Sequence, residues 1–228
     1  MLTVDKYFKN ENGKDYVTGD IHGSMDLLFK SLDAIGFNYE KDRLFAVGDL
    51  VNRGHQSFEM VLLAADMDWF YPTLGNHELM VILNYLYDYY SEELVKRKGD
   101  WYLNSNRNFQ KGIYDILSTF PVAIELTYPS HKIGLIHAEV PKNDWASLDK
   151  PIKTFTSKIL DEGLWSRDKY QRINNDYVKG VDYVFVGHTP VKKPIMLENV
   201  CYIDTGACYT EYMHIIDIEK FLKCPQFK

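Results

Sequence analysis

A chain of 228 residues, 46% of them hydrophobic, can form one large domain or two small ones around a real core. With 26 Lys and Arg against 32 Asp and Glu, the formal net charge is -6, which argues against a protein that binds nucleic acid along a basic surface. The acidic balance leaves carboxylates for a divalent-metal site.

Strands and helices alternate in the first half of the chain. A turn signal at Asn12-Gly13 predicts an opening hairpin, whose second strand ends at Thr18. Apolar residues at helical spacing predict a helix from Met25 to Ile35, which Gly36 would end. The other elements predicted in this half are a strand over 44–47, a helix over 57–65, a strand ending near 74, an aromatic helix to 90 and a mostly helical segment over 91–120.

The second half of the chain is richer in strands. Residues 122–127 and 132–136 predict two strands joined by a turn at Pro129-Ser130, and 183–186 predict a further strand. Short strands near 200–203 and 214–218 suggest an antiparallel meander. No repeat or linker divides the sequence, so we predict a single domain over residues 1–228, of the α/β class with a mixed sheet.

The cysteines and the N-terminal segment predict a soluble, cytoplasmic protein without a membrane partner. Cys201, Cys208 and Cys224 are odd in number and match no zinc motif, so we expect reduced thiols. Residues 1–16 are too polar for a signal peptide. No apolar run approaches the ~20 residues that a membrane-spanning helix needs.

Side chains that can bind a metal ion follow five of the predicted strands. In open α/β sheets, ligand sites form at the carboxyl ends of the strands, so we expect these side chains to meet. Glycines flank most of the clusters and allow close approach of the backbone to a buried ion. The clusters are Gly19-Asp20-Ile21-His22-Gly23, Gly48-Asp49, Gly75-Asn76-His77-Glu78, His137 and Gly187-His188.

Each cluster alone has a simpler explanation. Asp20 and His22 could form a surface turn, Asn76 could cap a helix, and His137 or His188 could be a hydrogen-bonded core histidine. Five such clusters at strand ends are hard to obtain as independent accidents. The joint pattern therefore favours a metal centre.

The same stretches resemble the calcineurin-like metallophosphoesterases, and among them the bacteriophage-lambda-type serine/threonine protein phosphatases. The family's motifs occur in the family's order between Asp15 and Ala207: GDIHG, GDLVNRG, GNHE, HAE, LWSR, GHTP and YIDTGA. The resemblance implies two mixed β-sheets packed as a sandwich, with flanking helices and a dinuclear metal centre at one end.

Six side chains would hold the two ions by this likeness. Asp20 and His22 would bind the first ion, Asn76, His137 and His188 the second, and Asp49 would bridge them. Such a mixture of carboxylate, imidazole and amide ligands suits Mn²⁺, Fe or Zn²⁺ better than Ca²⁺, and we expect Mn²⁺. Two ions ~3.5–4 Å apart can hold a water or hydroxide for in-line attack on phosphorus and clamp the leaving oxygen.

Three further residues receive roles from the resemblance. His77 would be the general acid that protonates the leaving oxygen, an effect typically worth ~10²–10⁴-fold. Arg53 and Arg167 would bind the phosphoryl oxygens of the substrate. The alternative for His77 is a helix-start residue facing solvent, and Arg167 matches the motif loosely enough to be a surface arginine.

One position departs from the protein-phosphatase motif, which has Asp where this chain has Asn52. We expect Asn52 to orient His77 by accepting its N–H, without the charge that would stabilise an imidazolium. Asn52→Asp should then raise turnover of esters with poor leaving groups more than turnover of an activated aryl phosphate.

The predicted function is a phosphomonoesterase acting on phosphorylated Ser or Thr side chains, with a phosphoprotein or a small phosphorylated molecule as partner. The alternative is a symmetrical diadenosine-tetraphosphate hydrolase, a branch that also lacks Asp at the position of Asn52. Glu78 favours the first prediction, because that branch typically has Asp after Gly-Asn-His. A non-catalytic binding module would lack ligands that this chain retains, and a nuclease would need a basic groove.

Overall fold

A computed structural model describes residues 3–150 and 152–227. Ten strands form two mixed sheets, and helices lie outside them. The strands are β1 Val4–Phe8, β2 Asp15–Thr18, β3 Arg43–Ala46, β4 Phe70–Pro72, β5 Ala123–Tyr128, β6 His131–Ile136, β7 Tyr183–Val186, β8 Ile195–Leu197, β9 Val200–Tyr202 and β10 Ile215–Asp217. The α-helices are α1 Met25–Ala34, α2 Ser57–Asp66, α3 Asn76–Tyr87, α4 Ser91–Lys96, α5 Asp100–Leu103, α6 Arg107–Leu117, α7 Lys158–Trp165, α8 Ala207–Thr210 and α9 Ile218–Lys223.

The smaller sheet has four strands in the order β10-β2-β3-β4. β2, β3 and β4 are parallel, and β10 pairs with β2 in the antiparallel direction. The larger sheet has the order β1-β5-β6-β7-β9-β8 and mixes both directions: β5 and β6 form the predicted hairpin, while β6, β7 and β9 are parallel.

The two sheets pack face to face through alternate residues of their strands. Val17 and Phe45 of the smaller sheet share an apolar core with Leu126, Leu135 and Phe185 of the larger one. The intervening residues point outward, where the helices cover them. This alternation is the pattern of a strand with different neighbours on its two faces. The predicted sandwich of two mixed sheets with flanking helices is confirmed.

The predicted opening hairpin is wrong, because β1 and β2 belong to different sheets. β1 pairs with β5 and β2 pairs with β3 and β10, so the turn at Asn12-Gly13 connects two layers. Side-chain contacts hold this crossing: Asn10 Nδ2 donates to the carbonyl of Lys41 at 2.6 Å, and Asp42 Oδ1 accepts from Lys14 N at 2.8 Å. A local turn signal carries no information about these distant partners.

The predicted meander near the C-terminus is also wrong, for the same reason. β9 pairs in parallel with β7 and antiparallel with β8, whereas β10 joins the other sheet beside β2. Within the described ranges, no helix has the length and apolar character needed to cross a bilayer.

An ion pair of the smaller sheet and a tyrosine of the larger sheet meet at the amino end of β2. Asp15 Oδ1 accepts from Arg43 Nε at 2.7 Å, and Asp15 Oδ2 accepts from the Tyr128 hydroxyl at 2.9 Å. Tyr128 belongs to the larger sheet and the other two residues to the smaller one, so Asp15 links the layers at the end opposite the carboxyl ends of β2 and β3.

Candidate metal centre

The carboxyl ends of five strands from both sheets meet at one edge of the sandwich. Asp20 follows β2, Asp49 follows β3, and Asn76 follows β4 at the start of α3. His137 follows β6 and His188 follows β7 in the other sheet. All five side chains are buried. The structure thus brings together the clusters that the sequence places at strand ends.

Asp49 lies at the middle of the cluster. Its Oδ2 is 3.5 Å from His22 Nε2, and its Oδ1 is 3.4 Å from His137 Nε2. Asp20 Oδ2 is 3.7 Å from His22 Nε2. Two groups with converging ligand atoms result, one of Asp20, Asp49 and His137 and one of His22, Asp49 and His77, and they share Asp49. Asp49 is common to both groups, although the prediction paired Asp20 with His22, and its bridging role stays a prediction.

Asn76 joins the two histidines of the larger sheet. Asn76 Oδ1 lies 2.8 Å from His137 Nε2 and 3.1 Å from His188 Nδ1. His137 Nδ1 donates to the carbonyl of Val47 at 2.7 Å, so the proton of the neutral ring is on Nδ1 and Nε2 presents a lone pair. That lone pair faces an oxygen of Asn76 and an oxygen of Asp49, which are also electron-pair donors. A cation between them would interact favourably with all three atoms.

Unpaired ring nitrogens also fit a metal site. His22 Nδ1 donates to the Val51 carbonyl at 2.9 Å, which leaves Nε2 free to bind an ion. Of the six buried side-chain atoms without a hydrogen-bond partner in residues 3–150 and 152–227, three are the Nε2 atoms of His22, His77 and His188. Buried polar atoms are normally paired, so these three nitrogens indicate that further groups, a metal ion or a substrate atom, complete the site.

The electrostatics of the cluster fit a divalent cation. Burial, followed by the neighbouring Asp204 and Asp49, raises the pKa of Asp20 well above its ordinary value, and burial raises the pKa of Asp49 to about 7. Burial lowers the pKa of His137 to about 3 and that of His22 well below its usual value, which favours the neutral form of both rings. A cation would hold both carboxyls ionised and use the imidazole lone pairs already present.

His77 lies beside this cluster and is fully buried, so it is not the solvent-facing residue of the simpler explanation. Its backbone N–H donates to Asp49 Oδ1 at 2.9 Å, and its Nε2 lies 3.8 Å from Asp49 Oδ2. Asn52 contacts the ring of His77 as predicted, but Asn52 is the hydrogen-bond donor in this contact and not the acceptor. The amide nitrogen of Asn52 lies 3.1 Å from His77 Nδ1, and the amide oxygen accepts from Trp101 Nε1 at 3.0 Å.

Glu78 fixes the shape of the loop that carries Asp49. Its carboxylate is fully buried and accepts four backbone N–H groups. The donors are Asp49 and Gly75, at 2.8 and 2.9 Å from Oε2, and Leu50 and Val51, at 2.9 and 3.1 Å from Oε1. The loop after β3 and the start of α3 are therefore held by one side chain.

The backbone around the site is strained. Five site residues have positive φ angles, a conformation that residues other than glycine seldom adopt and that persists where the surroundings impose it. They are His22 (48°), Asp49 (52°), Asn52 (67°), Arg53 (66°) and His188 (63°). Gly48, with φ 89°, has no room for a side chain, because a Cβ would lie 2.7 Å from the Cα of Gly75.

Both predicted phosphate-binding arginines lie near the metal cluster. Arg53 lines an open cleft of about 730 Å³, and its guanidinium lies 5.6 Å from the centre of the Tyr209 ring. Arg167 Nη2 donates to the carbonyl of His188 at 3.4 Å. Trp101, which contacts Asn52, also lines this cleft, whereas the predicted metal ligands do not.

Two residues of the site lay outside the sequence-based prediction. Asp204 is buried next to Asp20, and its presence in the YIDTGA motif was the only signal for it. Trp101 lies on α5, in a segment whose pattern predicts helix and nothing about the site.

Comparison with known proteins agrees with this geometry. A family model described as calcineurin-like phosphoesterase matches residues 16–192. Serine/threonine-protein phosphatase 2 of Escherichia coli (strain K12) is 32% identical over 199 residues, covering 84% of this chain and 87% of the relative. The asymmetrical bis(5'-nucleosyl)-tetraphosphatase PrpE of Halalkalibacterium halodurans (strain ATCC BAA-125 / DSM 18197 / FERM 7344 / JCM 9153 / C-125) is 27% identical over 214 residues, covering 85% of each chain.

A solved structure described as a putative diadenosine tetraphosphatase has the same fold, with a TM-score of 0.62 at 20% identity, covering 95% of this chain and 98% of that one. The family model spans the strand ends that carry Asp20, Asp49, Asn76, His137 and His188. The chain belongs to the calcineurin-like phosphoesterase family.

Proposed function

We propose that the protein is a metal-dependent phosphomonoesterase, with phosphorylated Ser or Thr side chains of proteins as its substrates and two divalent ions, Mn²⁺ first among them, as its cofactors. The observation that carries this proposal is the convergence of Asp20, His22 and His137 on Asp49, with Asn76 joining His137 to His188. Buried histidine nitrogens without partners in the described parts of the chain support it. Ligands of this kind suit transition metals that activate water.

Residues of the chain itself would bind the substrate and contact the leaving oxygen. Bound divalent ions would supply the positive charge that acidifies a water molecule and stabilises the reacting phosphoryl group. Arg53 and Arg167 approach the cluster and would bind phosphoryl oxygens through their planar guanidinium groups. His77, held by Asp49 and Asn52, would face the leaving oxygen through Nε2. The cleft beside Arg53 would accept the rest of the substrate.

The second candidate function is hydrolysis of a dinucleoside tetraphosphate. Asn52 favours it, because the protein-phosphatase motif has Asp at this position. A relative named as an asymmetrical bis(5'-nucleosyl)-tetraphosphatase also covers 85% of this chain. Protein phosphatase remains the first candidate, since the relative of that name is more similar, at 32% identity.

Metal analysis combined with two substrate assays tests both candidates. We expect two equivalents of metal per chain, loss of activity on chelation, and recovery with Mn²⁺. A phosphoserine or phosphothreonine peptide should be hydrolysed with a higher kcat/KM than diadenosine tetraphosphate. Asp49→Asn should abolish both activities, whereas His131→Ala, at the far end of β6, should change neither. Full activity in the chelated protein would contradict the proposal, and a preference for the dinucleotide would favour the second candidate.

A further inference from the structure

Asn52 lies between two ring systems and contacts both through its side-chain amide. Its nitrogen is 3.1 Å from His77 Nδ1, and its oxygen is 3.0 Å from Trp101 Nε1. Asn52 and His77 are fully buried, so water does not compete for the contact between them. The three side chains therefore form one hydrogen-bonded chain that ends at the metal cluster.

Trp101 decides which way the amide of Asn52 is turned. The indole N–H is a donor and never an acceptor, so the Asn52 atom that faces it must be the oxygen. The amide NH₂ group then necessarily faces His77 and donates to Nδ1. This orientation follows from the chemistry of the indole and does not depend on telling nitrogen from oxygen in the amide.

The polarity of this contact fixes the tautomer of His77. An Nδ1 that accepts a hydrogen bond carries no proton, so the proton of the neutral ring is on Nε2. Nε2 lies 3.8 Å from Asp49 Oδ2 on the side of the metal cluster. A protonated Nε2 has no lone pair for a metal ion, which separates His77 from the ligands His22 and His137, whose Nδ1 atoms donate to backbone carbonyls.

We propose that Trp101 is a positioning residue that holds His77 as a neutral Nε2–H donor, and that the site therefore favours substrates whose leaving oxygen departs as a stabilised anion. Among phosphomonoesters, aryl phosphates belong to this class, and alkyl phosphates such as phosphoserine and phosphothreonine are the slower substrates. This inference rests on the proposed function and ranks the substrates within it.

The ranking of the substrates follows from where the electron pair and the protons go during hydrolysis. Water adds its oxygen to phosphorus, the bond from phosphorus to the leaving oxygen breaks, and the leaving oxygen keeps the electron pair. With Asn52 donating to Nδ1, transfer of the Nε2 proton would leave an imidazolate, so His77 contributes a hydrogen bond and the leaving group departs as an anion. The proton lost by water goes to solvent. An aspartate at position 52 would instead accept an Nδ1–H and allow full proton transfer.

Nitrogen-15 NMR of histidine-labelled protein tests the tautomer without any assay of activity. The His77 signals are assigned by their loss in His77→Gln. We expect a protonated Nε2 and an unprotonated Nδ1 in the wild type. In Trp101→Phe the amide is free to turn, and the Nδ1–H form should become populated. An Nδ1–H tautomer in the wild type would overturn the inference.

Kinetics with substrates that differ in their leaving group test the predicted substrate preference. We expect the ratio of kcat/KM for a phosphoserine peptide to that for p-nitrophenyl phosphate to rise about 10-fold or more in Asn52→Asp, since general acids are typically worth ~10²–10⁴-fold. Trp101→Phe should raise the same ratio by a smaller factor. In the Asn52→Asp background, Trp101→Phe should leave the ratio unchanged, because a carboxylate accepts from His77 whether or not the indole is present.

These measurements separate two kinds of failure. A role of Trp101 in packing alone would change kcat/KM for both esters by the same factor, and this result would overturn the inference while leaving the phosphatase function standing. If no ester or anhydride is hydrolysed, the proposed function fails, and the NMR experiment still decides whether Trp101 sets the tautomer of His77.

Discussion

Glu78 illustrates how a single buried side chain can determine the position of a candidate metal ligand. Its two oxygens accept four backbone N–H groups, two of them from Asp49 and the residue that precedes α3. Groups of this kind at a helix start satisfy donors that the helix itself leaves unpaired. Here the same carboxylate also fixes the strained loop after β3, so the position of Asp49 depends on a residue that binds no ion.

Glu78→Gln should destabilise the protein and weaken metal binding. One oxygen becomes an NH₂ group, so two of the four N–H donors lose their acceptor in a fully buried position. Each such loss costs about 1–3 kcal/mol, and we expect the free energy of unfolding in denaturant titrations to fall by roughly 3 kcal/mol. Glu92→Gln, on the exposed surface of α4, is the matched control and should change stability by less than about 0.5 kcal/mol. Equal stability of the two variants would refute this account.

At the scale of elements, close packing of β6 leaves no room for a side chain at Gly134. A Cβ there would lie 2.6 Å from Cη2 of Trp145, which is itself held by a hydrogen bond from Nε1 to Glu125 at 2.9 Å. Gly112 is the opposite case, since it lies exposed in α6 with open space around its Cα.

Alanine at these two glycines should change stability in opposite directions. Gly134→Ala should lower the melting temperature, because overpacking a rigid core typically costs about 1–3 kcal/mol. Gly112→Ala should raise stability by up to about 1 kcal/mol, the difference in helix propensity between the two residues. Thermal unfolding followed by circular dichroism measures both, and a stabilised Gly134→Ala would show that Trp145 is free to move.

Elements and ligands could be predicted from the sequence to different extents. Alternating apolar residues identify β5, β6 and β7, and the clusters at strand ends identify Asp20 and Asp49 as neighbours in space. The pairing partners of the strands were harder to predict. Asn12-Gly13 looks like a hairpin turn, yet β1 pairs with β5, more than a hundred residues away along the chain, and β2 pairs with β3 and β10 instead of β1.

Contacts between distant side chains were beyond sequence reasoning altogether. Trp101 is 49 residues from Asn52, and neither the composition nor the periodicity of its segment indicates this contact. The reversed hydrogen bond between Asn52 and His77 depends on that contact, so the residue types alone predicted the wrong polarity.

At the scale of the whole molecule, the candidate metal site draws its residues from both sheets. Asp20, Asp49 and Asn76 come from the smaller sheet, and His137 and His188 come from the larger one. Buried carboxyls of like charge oppose folding when no cation is present. Ions that bind only the folded protein should therefore stabilise the entire sandwich.

Mn²⁺ should raise the melting temperature of the chelated protein in a concentration-dependent way. At 100 times the dissociation constant, linkage gives about 2.7 kcal/mol. For a chain of this size, that corresponds to a shift of roughly 5–10 °C. Asp49→Asn removes a buried charge and a ligand, so its melting temperature without metal should be at least that of the wild type, and Mn²⁺ should no longer raise it. A wild type that is insensitive to Mn²⁺ in calorimetry would contradict the predicted site.

The ion pair around Asp15 has a consequence for how this scaffold can change. Arg43 and Tyr128 clamp the layers at one end of β2 through bonds that involve no exchangeable ligand. The loops at the carboxyl ends of the strands can therefore vary, and with them the shape of the cleft, while the two sheets stay packed together. Such a protein can accommodate new substrates through changes in the loops around the cleft alone.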